Sequence, residues 1–495
     1  MSSFVKLVFL TILVLQNMFV FSQTKQKNNK SNNLLKVQKE LIKSTESFEI
    51  KKYSVEYKNN FSVNGTYKQL FKIDGEINYL WQNKNNNLIY LTKYSSELIH
   101  SKDIKLPCLP KHRLLSACID TSSFIYYLTV NDSVKGRVIL EMLKINKNGK
   151  LVLKKQYDCS TNNLNIWQQN NYKVKLFYSD GEIGVLLART MFASNDGSNH
   201  QGGIACIFDA NSLNLTQNLG ATSSHSFDNY LKKNTNGEFL ALDLGDNFPR
   251  GIHLHKFSSV TGLTSRIVYT FKTKHQSYQS KKDKKYPLYS EISTKESKFY
   301  KWSNDNNTYS ELGGIVEAND SYFVFFIGEP DPDGKCLNNT RTNSMDPGNI
   351  AYVKVRKDFE KASFTSKNEV TDDLIMSKGA AENGGFYDYQ GNWNKQRNKG
   401  IVWLTNYKEN TNESATKLKV CILPNEEIAL IWENNNNNYL KKLNFDGKEL
   451  SPIIDLGNDF KMNYRDEFYV EKNTLFLPHE NSLNKKLEVI YLEIK

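Results

Sequence analysis

From about residue 50 onward, the chain consists of short apolar or aromatic runs separated by Asn, Asp and Gly. Short runs of this kind between turn-forming residues are typical of β-strands. Helical periodicity is scarce. The best helix candidate is Asn33 to Thr45, and that segment also fits a linker turn. The pattern therefore predicts an all-β protein.

One phrase recurs along the chain: a turn, usually Asp or Asn followed by Gly or Glu, ahead of an apolar run. Four close and three looser copies begin, in chain order, at Asp74, Ser122, Asp180, Asn236, Asp320, Asn425 and Asn473. A repeat of roughly 50 residues made only of strands is typical of a β-propeller blade. Because blades bury both faces of their sheets by packing radially, we predict a β-propeller of six to eight four-stranded blades.

The alternative architecture is a pair of β-sandwich or jelly-roll domains divided near residues 272–300. In a propeller, the low-periodicity stretches 272–310 and 330–398 are insertions or extra outer strands. The chain lacks the Trp-Asp endings of WD40 repeats and the regular Gly-Gly pairs of kelch repeats.

The N-terminus has the pattern of a secretory signal. Lys6 precedes an apolar run from Leu7 to Leu15, and Ser22 fits a signal-peptidase site. We predict a signal peptide at 1–22, a lead-in at 23–50 and a single propeller domain at 51–495. The alternative, an uncleaved anchor, has an apolar run that is short for a membrane span. The predicted location is secreted, periplasmic or extracellular, with no stable membrane span after cleavage.

Export would place the six cysteines in an oxidising compartment, where an even number permits up to three disulfides. Cys108 and Cys118 bracket a short segment and are the one pair we predict. His112 lies in the same segment, but no second Cys/His pair follows at matching spacing, so a structural zinc site is not expected.

The chain is basic, with 65 Lys and Arg against 53 Asp and Glu and a net charge of +12. These residues are spread along the chain, and the densest cluster, at Lys281–Lys285, fits a solvated loop. No nucleic-acid-binding motif accompanies them, so we predict no nucleic-acid partner. The motifs of ATP-driven, nicotinamide-dependent and serine-hydrolase chemistry are missing as well.

Candidate chemistry is densest between Ser194 and His255, which holds four of the eight histidines. Loops of a propeller gather on its faces, so residues distant in sequence can converge there. We predict recognition of an extracellular glycan or protein by loops of the third and fourth repeats, through His200, His225, Asp228, Asp246, Asn247 and Arg250. Arg250 is the charged anchor, the carboxylates and amide pair with hydroxyls, and the histidines are neutral hydrogen-bonding groups.

Two other interpretations of this window stay open. A secreted polysaccharide hydrolase or lyase could use His225 as base and Asp246 as acid or metal ligand. In a purely structural interpretation, Asp228-Asn229 and Asp246-Asn247 are turn formers, while His253 and His255 share one strand face.

We predict no cofactor. Clustered oxygens could hold calcium, and Asp331–Gly334 resembles the start of a calcium loop, but the distal acidic ligand is missing and a turn is expected there.

Overall fold

A computed structural model describes most of the chain after residue 33. The described residues are 34–57, 63–95, 98–160, 164–195, 197–224, 226, 228–245, 251–270, 310–328, 330, 347–359, 374–375, 381–383, 386–387, 393–394, 398–408, 411–463, 466–481 and 486–495. All regular structure among them is β-strand, arranged as a propeller of seven blades. This confirms the predicted all-β propeller.

Each blade is an antiparallel sheet, and its strands are counted outward from the propeller axis, so that the first strand is the innermost one. Blades 1 to 3 are formed by β3 (Val63–Ile73), β4 (Glu76–Asn83), β5 (Ile89–Tyr94) and β6 (His100–Lys105); β7 (Arg113–Ile119), β8 (Ile125–Asn131), β9 (Ile139–Ile145) and β10 (Leu151–Asp158); and β11 (Gln168–Ser179), β12 (Glu182–Thr190), β13 (Gln201–Asp209) and β14 (Leu215–Ser224).

Blades 4 to 6 follow the same order, with extra short strands in blade 5. They are formed by β15 (Asn229–Lys233), β16 (Phe239–Gly245), β17 (Gly251–Ser258) and β18 (Gly262–Thr270); β19 (Glu311–Glu317), β20 (Ser321–Gly328), β21 (Asn349–Arg356), β22 (Leu374–Ile375), β23 (Ala381–Asn383) and β26 (Asn398–Trp403); and β27 (Thr416–Leu423), β28 (Glu427–Asn434), β29 (Asn437–Asn444) and β30 (Ile454–Gly457). The pair β24 (Phe386–Tyr387) and β25 (Trp393–Asn394) forms a separate two-stranded sheet.

Blade 7 combines both parts of the chain. Its strands are β1 (Leu34–Ser44), β2 (Phe48–Tyr57), β31 (Tyr469–Glu471), β32 (Thr474–Asn481) and β33 (Lys486–Ile494), in the spatial order β1-β2-β33-β32-β31. The pairing of β2 with β33 is unbroken from Phe48 opposite Ile494 to Glu56 opposite Lys486. The inner strands of blades 7 and 1 are in contact as well, so the ring is closed.

The hydrophobic core is divided into seven clusters, one at each interface between neighbouring blades. Phe48 and Ile50 of β2 belong to the cluster between blades 6 and 7, whereas Tyr53 belongs to the one between blades 7 and 1. Because strand side chains alternate between the two faces of a sheet, β2 contributes to two interfaces at once.

The antiparallel order separates the connections onto two faces of the ring. All seven copies of the repeated phrase lie between the first and second strands of a blade. This is the turn face, where contacts such as the ion pair of Lys147 with Asp74, at 2.6 Å, join neighbouring blades. The opposite loop face carries the connections between second and third strands and the connections between blades.

Two sequence expectations are wrong. Residues 34–44, the best helix candidate, form β1, because pairing with β2 outweighs the helix-like spacing of its apolar residues. Cys108 and Cys118 are not bonded to each other: Cys118 points into the cluster between blades 2 and 3, and Cys108 packs on the cluster between blades 1 and 2. The sheet of blade 2 therefore separates them.

All cysteines that the structure describes are free thiols, and Cys336 lies outside the described residues. Burial raises the pKa of Cys159, Cys206 and Cys421 to about 12, so they pack as small apolar side chains. Within the described part of the chain there is also no helix that is long and apolar enough to span a membrane.

We expect Ile50→Ala to lower the free energy of unfolding by about 2 to 4 kcal/mol, because Ile50 is fully buried beside the closing strand pair. Urea denaturation would measure the change. The matched control is Leu41→Ala on β1, where the side chain is 58% exposed and the expected change is within about 0.5 kcal/mol. Equal losses in the two variants would contradict a closing role for β2.

Candidate functional site

The inner strands of five blades break register in their loop-face halves. The breaks fall between Val63 and Lys68, Leu114 and Ser116, Gln169 and Val174, Leu312 and Gly314, and Thr416 and Lys419. A bulge bends its strand and redirects the neighbouring side chains. At this level of the ring, side chains can therefore turn from the blade interfaces towards the central channel.

Ionisable side chains from six blades converge at the loop-face end of the channel. We call them the channel ring, and they are Lys68 of blade 1, Lys175 of blade 3, Asp228 of blade 4, Glu311 of blade 5, Lys419 of blade 6, and Asp466 and Glu467 of blade 7.

The contacts within the channel ring join blade 7 to blades 1, 3 and 6. Lys175 Nζ of blade 3 lies 2.6 Å from Glu467 Oε1 of blade 7. Lys68 Nζ lies 3.2 Å from Asp466 Oδ2, with both side chains almost fully buried. Lys419 Nζ donates to the main-chain carbonyl of Asp466 at 2.7 Å. Three ammonium groups from three blades are thus held by one short segment of blade 7.

Glu311 and Lys419 have shifted pKa values within this ring. Burial, with a smaller contribution from Asp228, raises the pKa of Glu311 to about 8, although the backbone N–H of Lys417 donates to its Oε2 at 2.6 Å. Burial and the charge of Lys175 lower the pKa of Lys419 to about 8, against the opposing effect of the carboxylates. At neutral pH, Glu311 is largely protonated and Lys419 largely charged. The site thus offers hydrogen-bond donors and acceptors together.

The structure brings one predicted site residue into the ring and places another at some distance along the loop face. Asp228 is half-buried just before β15, and its main-chain carbonyl accepts a hydrogen bond from Leu244 N at 2.9 Å. His200 is exposed in the connection between β12 and β13. His225, Asp246, Asn247 and Arg250 lie outside the described residues.

His253 and His255 are buried at the interface of blades 3 and 4. They stack with their ring centroids 6.2 Å apart, and His255 Nδ1 lies 2.7 Å from Ser265 Oγ. Burial lowers the pKa of His253 to about 4 and that of His255 to about 3, the latter also through the charge of His253. Both are therefore neutral at physiological pH, and they share one face of β17, as the structural interpretation predicts.

Asp243 lies opposite His253 in the sheet and is fully buried. Burial raises its pKa to about 6, and the hydroxyls of Ser226, Ser223 and Thr222 partly offset that effect. Thr222 Oγ1 donates a hydrogen bond to Asp243 Oδ2 at 2.7 Å.

Metal binding gains no support from the described residues, where no group of three or more His, Cys, Asp or Glu side chains is placed to hold an ion. The segment Asp331–Gly334, considered for calcium, lies outside them.

Comparison with known proteins gives no family for this chain. No protein-family model and no curated protein matches it. It is similar to the β-propeller domain of Nup133 from Vanderwaltozyma polyspora, at 11% identity and a TM-score of 0.44, over 92% of this chain and 100% of that one. It is also similar to an ulvan lyase, a polysaccharide lyase, at 9% identity and a TM-score of 0.46, over 89% and 96% of the two chains.

A third similarity is to a prolyl endopeptidase, at 8% identity and a TM-score of 0.42, over 83% of this chain. The present chain spans only 44% of that protein's length. At such identities and scores, none of these proteins supplies an argument about function.

We expect Asp466→Asn to destabilise the protein by about 3 kcal/mol, since it removes the negative charge beside the fully buried Lys68 ammonium. Thermal and urea unfolding would measure this. Adding Lys68→Met should recover most of the loss, because the double variant has no buried ammonium at that position. A double variant as unstable as the sum of the two single changes would contradict the pairing.

Stability should fall on acidification through His253 and His255. Between pH 6.5 and about 4, these two histidines bind protons in the unfolded chain but stay neutral in the folded one. Acidification over this range therefore stabilises the unfolded state and lowers the free energy of unfolding. The slope is at most about 1.4 kcal/mol per pH unit for each histidine. Asp243, whose folded pKa is raised, acts in the opposite direction between about pH 6 and 4.

The measurement is urea unfolding of the wild type and the His253→Gln/His255→Gln variant at pH 7 and pH 5. The variant should lose less stability over this interval than the wild type. If the wild type and the variant lose the same free energy of unfolding between pH 7 and pH 5, the two rings take up protons equally in the folded and unfolded chain.

Proposed function

We propose that this protein is exported and recognises an extracellular glycan, without catalysis, at the loop face over the central channel. The observation that supports the proposal is the channel ring, in which ionisable side chains from six blades meet at the loop-face end of one channel. Buried ionisable groups with shifted pKa values are concentrated at functional sites.

The chemistry of the channel ring suits a ligand rich in hydroxyls. Each sugar hydroxyl donates one hydrogen bond and accepts others, so it pairs best with a surface where donors and acceptors alternate. Here Lys175 and Lys419 donate, Asp228 and Glu467 accept, and the protonated Glu311 can do both. The groups are held by bonds between blades, which lowers the entropy that is lost when a ligand binds.

The proposal includes all six site residues that the sequence predicts. Asp228 is one of the carboxyl groups of the channel ring, and His200 is an exposed hydrogen-bonding group on the same face. We extend the proposal to His225, Asp246, Asn247 and Arg250, with Arg250 as the charged anchor for an acidic group. Export through the leader at 1–22 is part of the same proposal.

The test uses the purified chain and a panel of neutral and acidic polysaccharides, with retention in affinity electrophoresis and release of reducing ends scored on the same samples. We expect retention without release, and about tenfold weaker retention in Lys419→Met and Asp228→Asn, since each removes a charged hydrogen-bonding partner.

The matched control is Lys150→Gln, an exposed lysine on the turn face, which should bind as the wild type does. Melting temperatures of all variants separate lost contacts from lost folding. Failure of every polysaccharide to bind would reject the glycan proposal and leave an extracellular protein as the partner to seek.

A second candidate function is a polysaccharide hydrolase or lyase, favoured by one observation. Glu311 and Lys419 both have a pKa of about 8, so the channel ring holds two groups that can exchange protons close to neutral pH. Release of reducing ends that Glu311→Gln abolishes, while retention survives, would replace the binding proposal with this one.

A further inference from the structure

A second cluster on the loop face lies at the corner between blades 2 and 3, away from the channel ring. We call it the Trp167 platform. It is formed by Lys135, Gly136, Asn165, Trp167, Arg189 and Phe192, from three connections and the end of β12.

The indole of Trp167 is held rigidly although it is only half-buried. Its main-chain N–H donates to Thr190 O and its carbonyl accepts from Gly136 N, both at 2.9 Å. Gly136 has φ +76, and a Cβ there would lie 3.2 Å from the Cδ1 and Nε1 atoms of the indole. Glycine is therefore favoured at this position for two reasons: its positive φ and the close approach of the indole ring.

Phe192 completes the aromatic surface. Its N–H donates to Asn165 Oδ1 at 3.1 Å, which joins the connection before β11 to the one after β12. Half-buried aromatic rings held by backbone bonds bring large contact areas at little cost in conformational entropy, as ligand-binding surfaces require.

The charge around the platform is unbalanced in favour of cations. Lys135 Nζ lies 5.5 Å from the centroid of the Trp167 ring. Arg189 is buried at the end of β12, and its Nη1 donates to Leu164 O in the connection that carries Trp167. Neither cation has a carboxylate partner among the described residues, whereas the neighbouring Arg113 is paired with Asp132 at 2.7 Å.

We propose that the Trp167 platform is a subsite for an acidic sugar residue, a uronate or a sulfated sugar. The sugar ring stacks on the indole, where Lys135 now lies, and its anionic group pairs with Lys135 while Arg189 adds positive potential from the end of β12. A cation over an aromatic face together with a stacking surface is complementary to a ring that carries a negative charge. This inference rests on the proposed glycan recognition and names its ligand class.

The experiment is isothermal titration of the full chain with tetragalacturonate, which is acidic, and cellotetraose, which is neutral. We expect at least tenfold tighter binding of tetragalacturonate, weakening as salt is raised. Trp167→Ala should lower that affinity about tenfold, and Trp167→Phe by less, because a smaller ring still stacks. Lys135→Gln should lower it about threefold and flatten the salt dependence.

Lys150→Gln, which removes one exposed lysine from the turn face, should change neither affinity nor salt dependence. If tetragalacturonate binds and Trp167→Ala has no effect, the subsite is rejected while glycan recognition at the channel ring stands. If Trp167→Ala weakens both ligands equally and Lys135→Gln is silent, selectivity for acidic sugars is rejected. If no glycan binds at all, the proposed function fails and this inference fails with it.

Discussion

The pairing of β2 with β33 is the interaction on which the rest of the structure depends. It places one strand from near the start of the described chain inside the blade that the last strands build. Through Phe48, Ile50 and Tyr53, that strand completes the apolar clusters on both sides of blade 7. The bond of Lys68 to Asp466 then joins the completed blade 7 to blade 1. The geometry of the channel ring therefore follows from closure of the propeller.

Closure of the propeller ring also favours a particular order in which the blades form. Ser54 of β2 and Glu488 of β33, which are hydrogen-bonded to each other, lie 434 positions apart in the chain, whereas the strands within blades 1 to 4 and blade 6 follow one another directly. Contacts over long separations form late, because the entropy of closing the loop must be lost first. Blades built from local hairpins can form before β2 pairs with β33. Until that pairing forms, one edge of β2 has unpaired N–H and C=O groups, which favour pairing with a wrong strand.

The blades could be predicted from sequence because each contains a local signal. The turn of Asp74-Gly75, like that of Asp180-Gly181, has both residues at positive φ, which Asp, Asn and Gly adopt most readily. The strand at 34–44 was not predictable from spacing, since its conformation comes from pairing with β2 rather than from propensity. The channel ring has no local signal either. Single residues such as Lys175 and Glu311 meet only because seven distant strands surround one axis.

The bulges in the inner strands mark the level at which side chains of the fold turn towards the central channel. On the turn-face side of each break, the ladder is regular and its side chains fill the clusters between blades. Lys68 and Lys419 lie directly after the breaks in β3 and β27, and they bind Asp466 of blade 7 instead of filling an apolar cluster. Substitutions there can alter charge and shape while the seven clusters stay intact. These positions are coupled, however, because Lys68 with Asp466 and Lys175 with Glu467 are ion pairs between blades, so a change of charge at one position requires a matching change at its partner.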